Sequence, residues 1–112
     1  MIDQKLETEI GMLHNRICHA LADPKRILIL YLLSEKPRLV NELAEMLEIP
    51  QPTVSRHLGV LRERGLVVTE REGTAIRYTL ADHRIIEAVD LMRAILNTQL
   101  ADSIKLAQSL IE

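Results

Sequence analysis

The chain has 112 residues, the length of one ordinary domain, and a formal net charge of −2. Hydrophobic residues make up 47% and aromatic residues only 2%, which predicts an aliphatic core in mainly helical structure. The single cysteine excludes an intrachain disulfide and an all-cysteine zinc site. The sequence has no apolar signal segment and no apolar run near the ~20 residues that cross a bilayer, so we expect a cytoplasmic protein without a membrane partner.

Two helices are predicted at the start of the chain. Apolar residues recur every third or fourth position over residues 2–21, which is typical of an amphipathic helix. Asp23 and Pro24 then signal a helix start, because Asp caps free amides and proline is tolerated at the first helical position. The helix predicted over 24–34 is apolar on nearly every side, so we expect it to be buried, and residues 36–39 are expected to be extended.

The middle of the chain predicts a helix-turn-helix over residues 40–64. A third helix covers about 40–48, and two prolines make residues 49–52 a short, stiff turn. A fourth helix then runs to Arg64, and its predicted buried stripe is Val54, Leu58 and Leu61. Gly65 is a plausible stop for that helix.

A β-hairpin and a long helix are predicted to follow. Residues 66–71 and 75–80 have the composition and alternation of strands, with Glu72-Gly73 as the turn, so residues 66–80 form a two-stranded wing. Residues 83–112 lack glycine and proline and predict a final helix, over about 83–110. Together these elements predict a mainly α, winged helix-turn-helix fold of about five helices in a single domain, 1–112.

The first and last helices each carry more apolar residues than a chain of this size can cover. A helix over 83–110 is ~40 Å long, about the width of such a small domain. We therefore expect residues 1–22 and 83–112 to be dimerisation helices in a homodimer.

Four stretches of the chain resemble the ArsR/SmtB family of bacterial transcriptional repressors. They are ALADPKRILIL (20–30), NELAEML (41–47), QPTVSRHLGVLRERGLV (51–67) and REGTAIRYTL (71–80), in the family's order and spacing. The resemblance implies a homodimeric winged helix that binds an inverted-repeat operator and leaves it when an effector, often a metal ion, binds. One departure is Pro50, which stands where the family usually has a capping serine.

The one basic segment of the chain, residues 51–79, coincides with the predicted reading helix and wing and has five arginines against three glutamates. Arg reads guanine and Gln reads adenine, Ser and Thr bind bases or phosphates, and free amides at the helix start favour a phosphate. Gly59 removes a side chain where the helix approaches the groove. Candidate contacts to double-stranded DNA are therefore Gln51, Thr53, Ser55, Arg56, His57, Arg62, Arg71 and Arg77. His57 lies at the flank of the buried stripe, so packing or phosphate binding is as compatible with its position as base reading.

Neither of the family's best-known metal sites is complete in this sequence. The positions matching its Cys-x-Cys pair hold Leu39 and Asn41. At the second site Asp82 matches, but the other ligand positions hold Arg84, Ile95 and Thr98, and arginine does not ligate metals. The sequence therefore predicts no metal at these two sites and no cofactor, and the effector is not identified.

Two weaker candidate metal pairs are spaced one helical turn apart. They are His14 with Cys18, and His83 with Glu87. The alternatives are that Cys18 packs as a small apolar residue or pairs with the Cys18 of a second chain, and that the other three are solvated surface groups.

The leading functional hypothesis is a homodimeric, sequence-specific DNA-binding repressor. The alternative is a winged helix that binds another protein and not DNA. No nucleophile–base pair, carboxylate dyad or phosphate loop is visible, so we predict that the chain is not an enzyme.

Overall fold

The computed structural model describes residues 1–111 and divides into two compact units, residues 1–82 and the part from residue 83 onward. The first unit contains α1 (Gln4–Leu13), a π-helical segment (His14–Cys18), α2 (Pro24–Glu35), β1 (Arg38–Leu39), α3 (Val40–Leu47), α4 (Gln51–Glu63), β2 (Val67–Glu72) and β3 (Ala75–Leu80). The second unit is α5 (Arg84–Ile111). The predicted five helices and antiparallel hairpin are confirmed. Within residues 1–111, no helix combines the length and apolarity needed to span a membrane.

The first helical region, residues 4–20, consists of α1, the π-helical segment and two further helical residues, and it departs from the single regular helix that was predicted. Asp3 caps α1, since its Oδ1 accepts a hydrogen bond from the Leu6 N–H at 2.7 Å. The prediction of one α-helix over 2–21 is corrected by the π-helical segment, after which the His19 N–H bonds to the carbonyl of His14, five residues back. No side chain of α1 is buried.

The core is aliphatic, as the composition predicted. Its side chains come from α2, α3, α4 and the two long strands, and those with less than 2% exposure include Ile29, Leu30, Leu43, Val54, Leu58, Leu61 and Val67. Asp23 begins α2 as expected, because its Oδ1 accepts from the Lys25 N–H at 2.8 Å. The prediction that α2 is buried on nearly every side is too strong, since Leu28 is 51% exposed.

The turn between α3 and α4 sets the direction of the second helix. Glu48 ends α3 in the left-handed conformation, with φ at 55°. α4 begins at Gln51 without a side-chain cap, as the proline at position 50 predicted. Gly65, at φ 79°, stops the helix, and the Leu66 N–H bonds back to the Leu61 carbonyl at 2.9 Å.

The sheet has three strands in the order β1-β3-β2, all antiparallel. β2 and β3 form the predicted hairpin, with β2 one residue later than expected and Gly73 in the turn at φ 61°. The two-stranded wing is therefore confirmed, and β1 adds a third strand to the sheet, because Arg38 and Leu39, within the segment predicted to be extended, pair with Tyr78 and Arg77.

α5 is a single helix of 28 residues, which confirms the predicted long final helix. Many of its large apolar side chains are exposed, namely Leu91, Met92, Ile95, Leu96, Leu100, Ile104, Leu106, Leu110 and Ile111. α1 and the residues before it have the same character, with Ile2, Leu6, Ile10, Met12 and Leu13 exposed.

Candidate nucleic-acid interface

α4 presents one apolar face to the core and one polar face to solvent. Val54, Leu58 and Leu61 are fully buried, as their spacing predicted. The exposed residues of the opposite face, which we call the reading face, are Gln51, Ser55, Arg56, Gly59 and Arg62. Thr53 is half-buried at the edge of this face.

The polar groups of the reading face are available for a ligand. Within residues 1–111, neither Arg56 nor Arg62 makes a hydrogen bond or ion pair with another residue of the chain. A guanidinium is a fork of five N–H donors, suited to bidentate hydrogen bonds with guanine or phosphate. The two arginines therefore present unsatisfied donors on one side of a rigid helix.

Gly59 lies in the middle of the reading face. A Cβ built at this position has no neighbouring atom within 4 Å, so packing inside the chain does not require a glycine here. Glycine in a helix interior costs about 0.5–1 kcal/mol relative to alanine. Gly59 therefore lowers helix stability and leaves room for close approach to the backbone of α4.

The start of α4 offers fewer free amides than the sequence analysis expected. Pro50 and Pro52 have no backbone N–H, so Gln51 has the only N–H among residues 50–52. The N–H groups of Thr53 and Val54 both bond to the Pro50 carbonyl, at 3.0 and 3.2 Å. A phosphate at this helix start would thus be held by one amide and by side chains.

The two wing arginines differ in their surroundings. Arg71 is exposed near the end of β2, and among the described residues it makes no ion pair or hydrogen bond through its side chain. The Nε of Arg77 donates to Glu72 Oε2 at 3.0 Å, and its Nη1 lies 3.8 Å from Glu42 Oε1. The side chain of Arg77 is 35% exposed. Arg77 would have to break its ion pairs with two carboxylates to contact DNA, whereas Arg71 has no ion pair to break among the described residues.

His57 does not belong to the reading face, which corrects its inclusion among the candidate DNA contacts. It is 8% exposed, and its Nδ1 lies 3.4 Å from Nη1 of Arg26 in α2. A buried imidazole that already faces a guanidinium cannot reach a base edge. Sequence reasoning missed Arg26, because nothing in the pattern of α2 distinguishes it from its charged neighbour Lys25.

The weaker metal candidates do not form a site with three ligands. Across residues 1–111, no group of three or more His, Cys, Asp or Glu side chains could hold a metal ion. Cys18 is a free cysteine and is exposed in the single chain. Near His83 and Glu87, the carboxylate of Asp90 accepts a hydrogen bond from Arg93 at 3.1 Å.

Comparison with known proteins places this helix-turn-helix in a family. The family model for bacterial regulatory proteins of the ArsR family matches residues 23–69. The chain is also 37% identical over 92 residues to the biofilm growth-associated repressor of Agrobacterium fabrum, covering 82% of this chain and 75% of that repressor. The chain belongs to the ArsR family.

Two further comparisons define the extent of the similarity. The chain is 45% identical over 73 residues to the transcriptional repressor SmtB of Mycobacterium tuberculosis strain CDC 1551, covering 65% of this chain but only 54% of SmtB, about half its length. The homodimeric winged helix-turn-helix DNA-binding domain of Mb0332 from Mycobacterium bovis superposes with a TM-score of 0.75 and 27% identity, over 88% of this chain and 91% of that one. The winged-helix fold predicted from the sequence is thus confirmed.

The residues of this ArsR-family chain do not fit the two metal sites that the resemblance implies. Leu39 and Asn41 offer no thiolate, and Ile95 and Thr98 offer no imidazole or carboxylate. The side chains at those positions therefore do not supply the ligands of either metal site.

Proposed function

We propose that this ArsR-family chain is a homodimeric transcriptional repressor that binds an inverted-repeat operator in double-stranded DNA. The reading face of α4 is the observation that carries the proposal. Its arginines have no partner among residues 1–111, while three fully buried side chains hold the opposite face of the helix. An exposed row of unsatisfied donors on a rigid helix suits the major groove, which is wide enough to admit it.

The roles of individual residues follow from their chemistry and exposure. Arg56 and Arg62 are assigned to guanine or phosphate, and Gln51 to adenine. Ser55 and Thr53 supply hydroxyl groups for phosphates or bases. Arg71 on the wing contacts phosphate or the minor groove. Arg77 makes at most a secondary contact, because it is already paired with two carboxylates.

Dimerisation is part of the proposal because DNA reading by one short helix is weak. The exposed apolar residues of α1 and α5 provide surface for a second chain, in keeping with the predicted roles of residues 1–22 and 83–112. The similar domain of Mb0332 is homodimeric. Two reading helices related by a two-fold axis require half-sites about 34–36 Å apart, one turn of DNA. We propose that the repressor acts in the cytoplasm, has no catalytic role and is released by an unidentified effector that does not bind at the family's two best-known metal sites.

Selection of bound duplexes from a random DNA library at two salt concentrations tests this function. We expect an enriched inverted repeat, bound more weakly as salt rises. Arg56→Ala should cost about 1–3 kcal/mol of specific binding, or roughly fivefold to more than a hundredfold in affinity. Glu45→Ala, at an exposed position of α3, is the matched control and should alter affinity far less.

The other outcomes are equally informative. No enrichment with a folded dimer would contradict DNA binding and would favour the protein-binding alternative. An Arg56→Ala variant that selects the same repeat with unchanged affinity would remove Arg56 from the contact surface.

A further inference from the structure

One guanidinium joins the end of the first helical region to the reading helix. Arg26 Nε donates to the Ala20 carbonyl at 2.6 Å, and Nη2 donates to the His19 carbonyl at 3.2 Å. Its Nη1 lies 3.4 Å from Nδ1 of His57, in the centre of α4. Arg26 therefore connects three segments of the first unit: the end of the first helical region, α2 and α4.

The contact requires a neutral imidazole. Arginine has donors only, so Nδ1 of His57 must be unprotonated to accept from Nη1. The proton of the neutral ring then belongs on Nε2, which lies 4.0 Å from Asp23 Oδ2. A proton on Nδ1 would remove the acceptor and leave two cations side by side in a site that is 8% exposed to water.

Burial is the main factor that favours the neutral ring. Burial lowers the pKa of His57 below its usual 6.5, and the cations Arg26, Arg56 and Lys25 lower it further. The carboxylate of Asp23 opposes them and raises that pKa, but the net direction is down. His57 is therefore neutral at pH 7 and gains its proton only in more acidic solution.

A second arginine ties the other end of α4 to the same region. Arg64, which follows the last residue of α4, donates through Nη1 to the Asn15 carbonyl in the π-helical segment at 3.0 Å. Ala20, whose carbonyl accepts the hydrogen bond from Arg26, is fully buried. The first helical region is thus attached to the centre of α4 through Arg26 and His57, and to its end through Arg64.

We propose that Arg26 is a positioning residue for operator binding: it fixes α4, through His57, to the end of the first helical region, and protonation of His57 releases this connection. The inference rests on the proposed function. The first helical region is the proposed dimerisation element, so the connection relates the orientation of each reading helix to the dimer. Acidification should therefore weaken operator binding even though His57 does not touch DNA.

Operator affinity measured against pH at constant ionic strength tests the proposal in the full-length chain. His57→Asn keeps an acceptor near the position of Nδ1 but does not titrate. His83→Asn is the matched control, because it removes an exposed histidine at the start of α5. Arg26→Lys keeps the charge but lacks the fork that reaches two carbonyls and the ring. Thermal unfolding followed by circular dichroism verifies that each variant is folded at each pH.

We expect the wild-type dissociation constant for the selected duplex to rise several-fold between pH 7.5 and a pH below the midpoint that NMR gives for the His57 ring, and by no more than about tenfold per pH unit for each proton bound. The ratio between the two pH values should be close to one for His57→Asn and unchanged for His83→Asn. Arg26→Lys should bind at least fivefold more weakly at pH 7.5 and show little pH dependence. The proposal would be overturned if the operator affinity of His57→Asn depended on pH as strongly as that of the wild type, or if Arg26→Lys bound the operator with wild-type affinity.

A measurement without DNA separates this inference from the proposed function. Long-range ¹H–¹⁵N NMR should find Nδ1 of His57 unprotonated at pH 7.5. The backbone amides of residues 19–21 should shift with the same midpoint as the ring on acidification, and should not do so in His57→Asn. Absence of that shared midpoint overturns the connection whether or not an operator is found. Its presence without any selected operator contradicts only the DNA-binding function.

Discussion

Substitution of Gly59 should change fold stability and operator binding in opposite directions. The position is exposed in the middle of α4, and a Cβ there meets no atom within 4 Å. Gly59→Ala should therefore gain the helix propensity of alanine, about 0.5–1 kcal/mol, without a packing cost. For a chain of this size that corresponds to a rise of about 2–8 °C in the midpoint of thermal unfolding.

The same substitution should weaken operator binding. The added methyl group lies between Ser55, Arg56 and Arg62 on the reading face and holds the helix away from the groove. If the displacement breaks one bidentate base contact, the loss is about 1–3 kcal/mol, or roughly fivefold to more than a hundredfold in affinity. Gly59→Leu should be more stable than the wild type and should bind more weakly than Gly59→Ala.

Thermal unfolding and fluorescence anisotropy with the selected duplex measure the two effects. Gly11→Ala is the control for stability, since Gly11 is also exposed within a helix and has no atom within 4 Å of its Cβ. It should gain a similar amount of stability. If Gly59→Leu bound the operator as tightly as the wild type, the assignment of this side of α4 to the groove would be wrong.

Three further predictions concern a cap, the dimer and the wing. Asp23→Ala should lower the midpoint of thermal unfolding, and Asp23→Asn should recover most of the loss, because both Asp and Asn accept a hydrogen bond from the Lys25 N–H. The pKa of Asp23 is lowered, chiefly by that backbone hydrogen bond, so the stability contributed by the ionised carboxylate is present above about pH 4 and should disappear as the pH falls through the lowered pKa. Leu100→Glu, in the exposed apolar stripe of α5, should shift the mass measured by light scattering from two chains to one, and an unchanged dimer would place the interface elsewhere. Arg71→Ala removes one contact from each chain of the dimer and should reduce the slope of log affinity against log salt by about two, while Arg77→Ala changes affinity less than threefold; the reverse order would contradict the assignment of the wing.

Local patterns in the sequence were sufficient for most of the fold. The three-and-four spacing of Val54, Leu58 and Leu61 fixes which side of α4 is buried, and this alone gives the reading face. The start of α2 at Asp23 and the stop of α4 at Gly65 also depend on chemistry within a few residues. Such features are predictable because their physical cause is contained in the segment itself.

The features that were missed depend on contacts between distant parts of the chain. His57 lies at the flank of the buried stripe, so the spacing leaves its burial open, and in the structure it lies beside Arg26, 31 residues earlier. β1 has only two residues and exists because it pairs with β3. The salt bridge from Arg77 to Glu42 is likewise tertiary. No periodicity within one segment contains that information.

The local charge count therefore understates how differently the arginines of residues 51–79 are used. Arg64 is tied to a backbone carbonyl and Arg77 to two carboxylates, which leaves Arg56, Arg62 and Arg71 as the proposed DNA contacts. Three phosphate contacts per chain, or six per dimer, would give a slope of log affinity against log salt no steeper than about −5. The slope would be shallower if some of these arginines contact bases instead of phosphates. Because the chain has a net charge of −2, non-specific binding should be weak, and recognition must depend on base contacts made by two correctly spaced reading helices. A slope much steeper than −5 would mean that basic residues outside this segment also contact the operator.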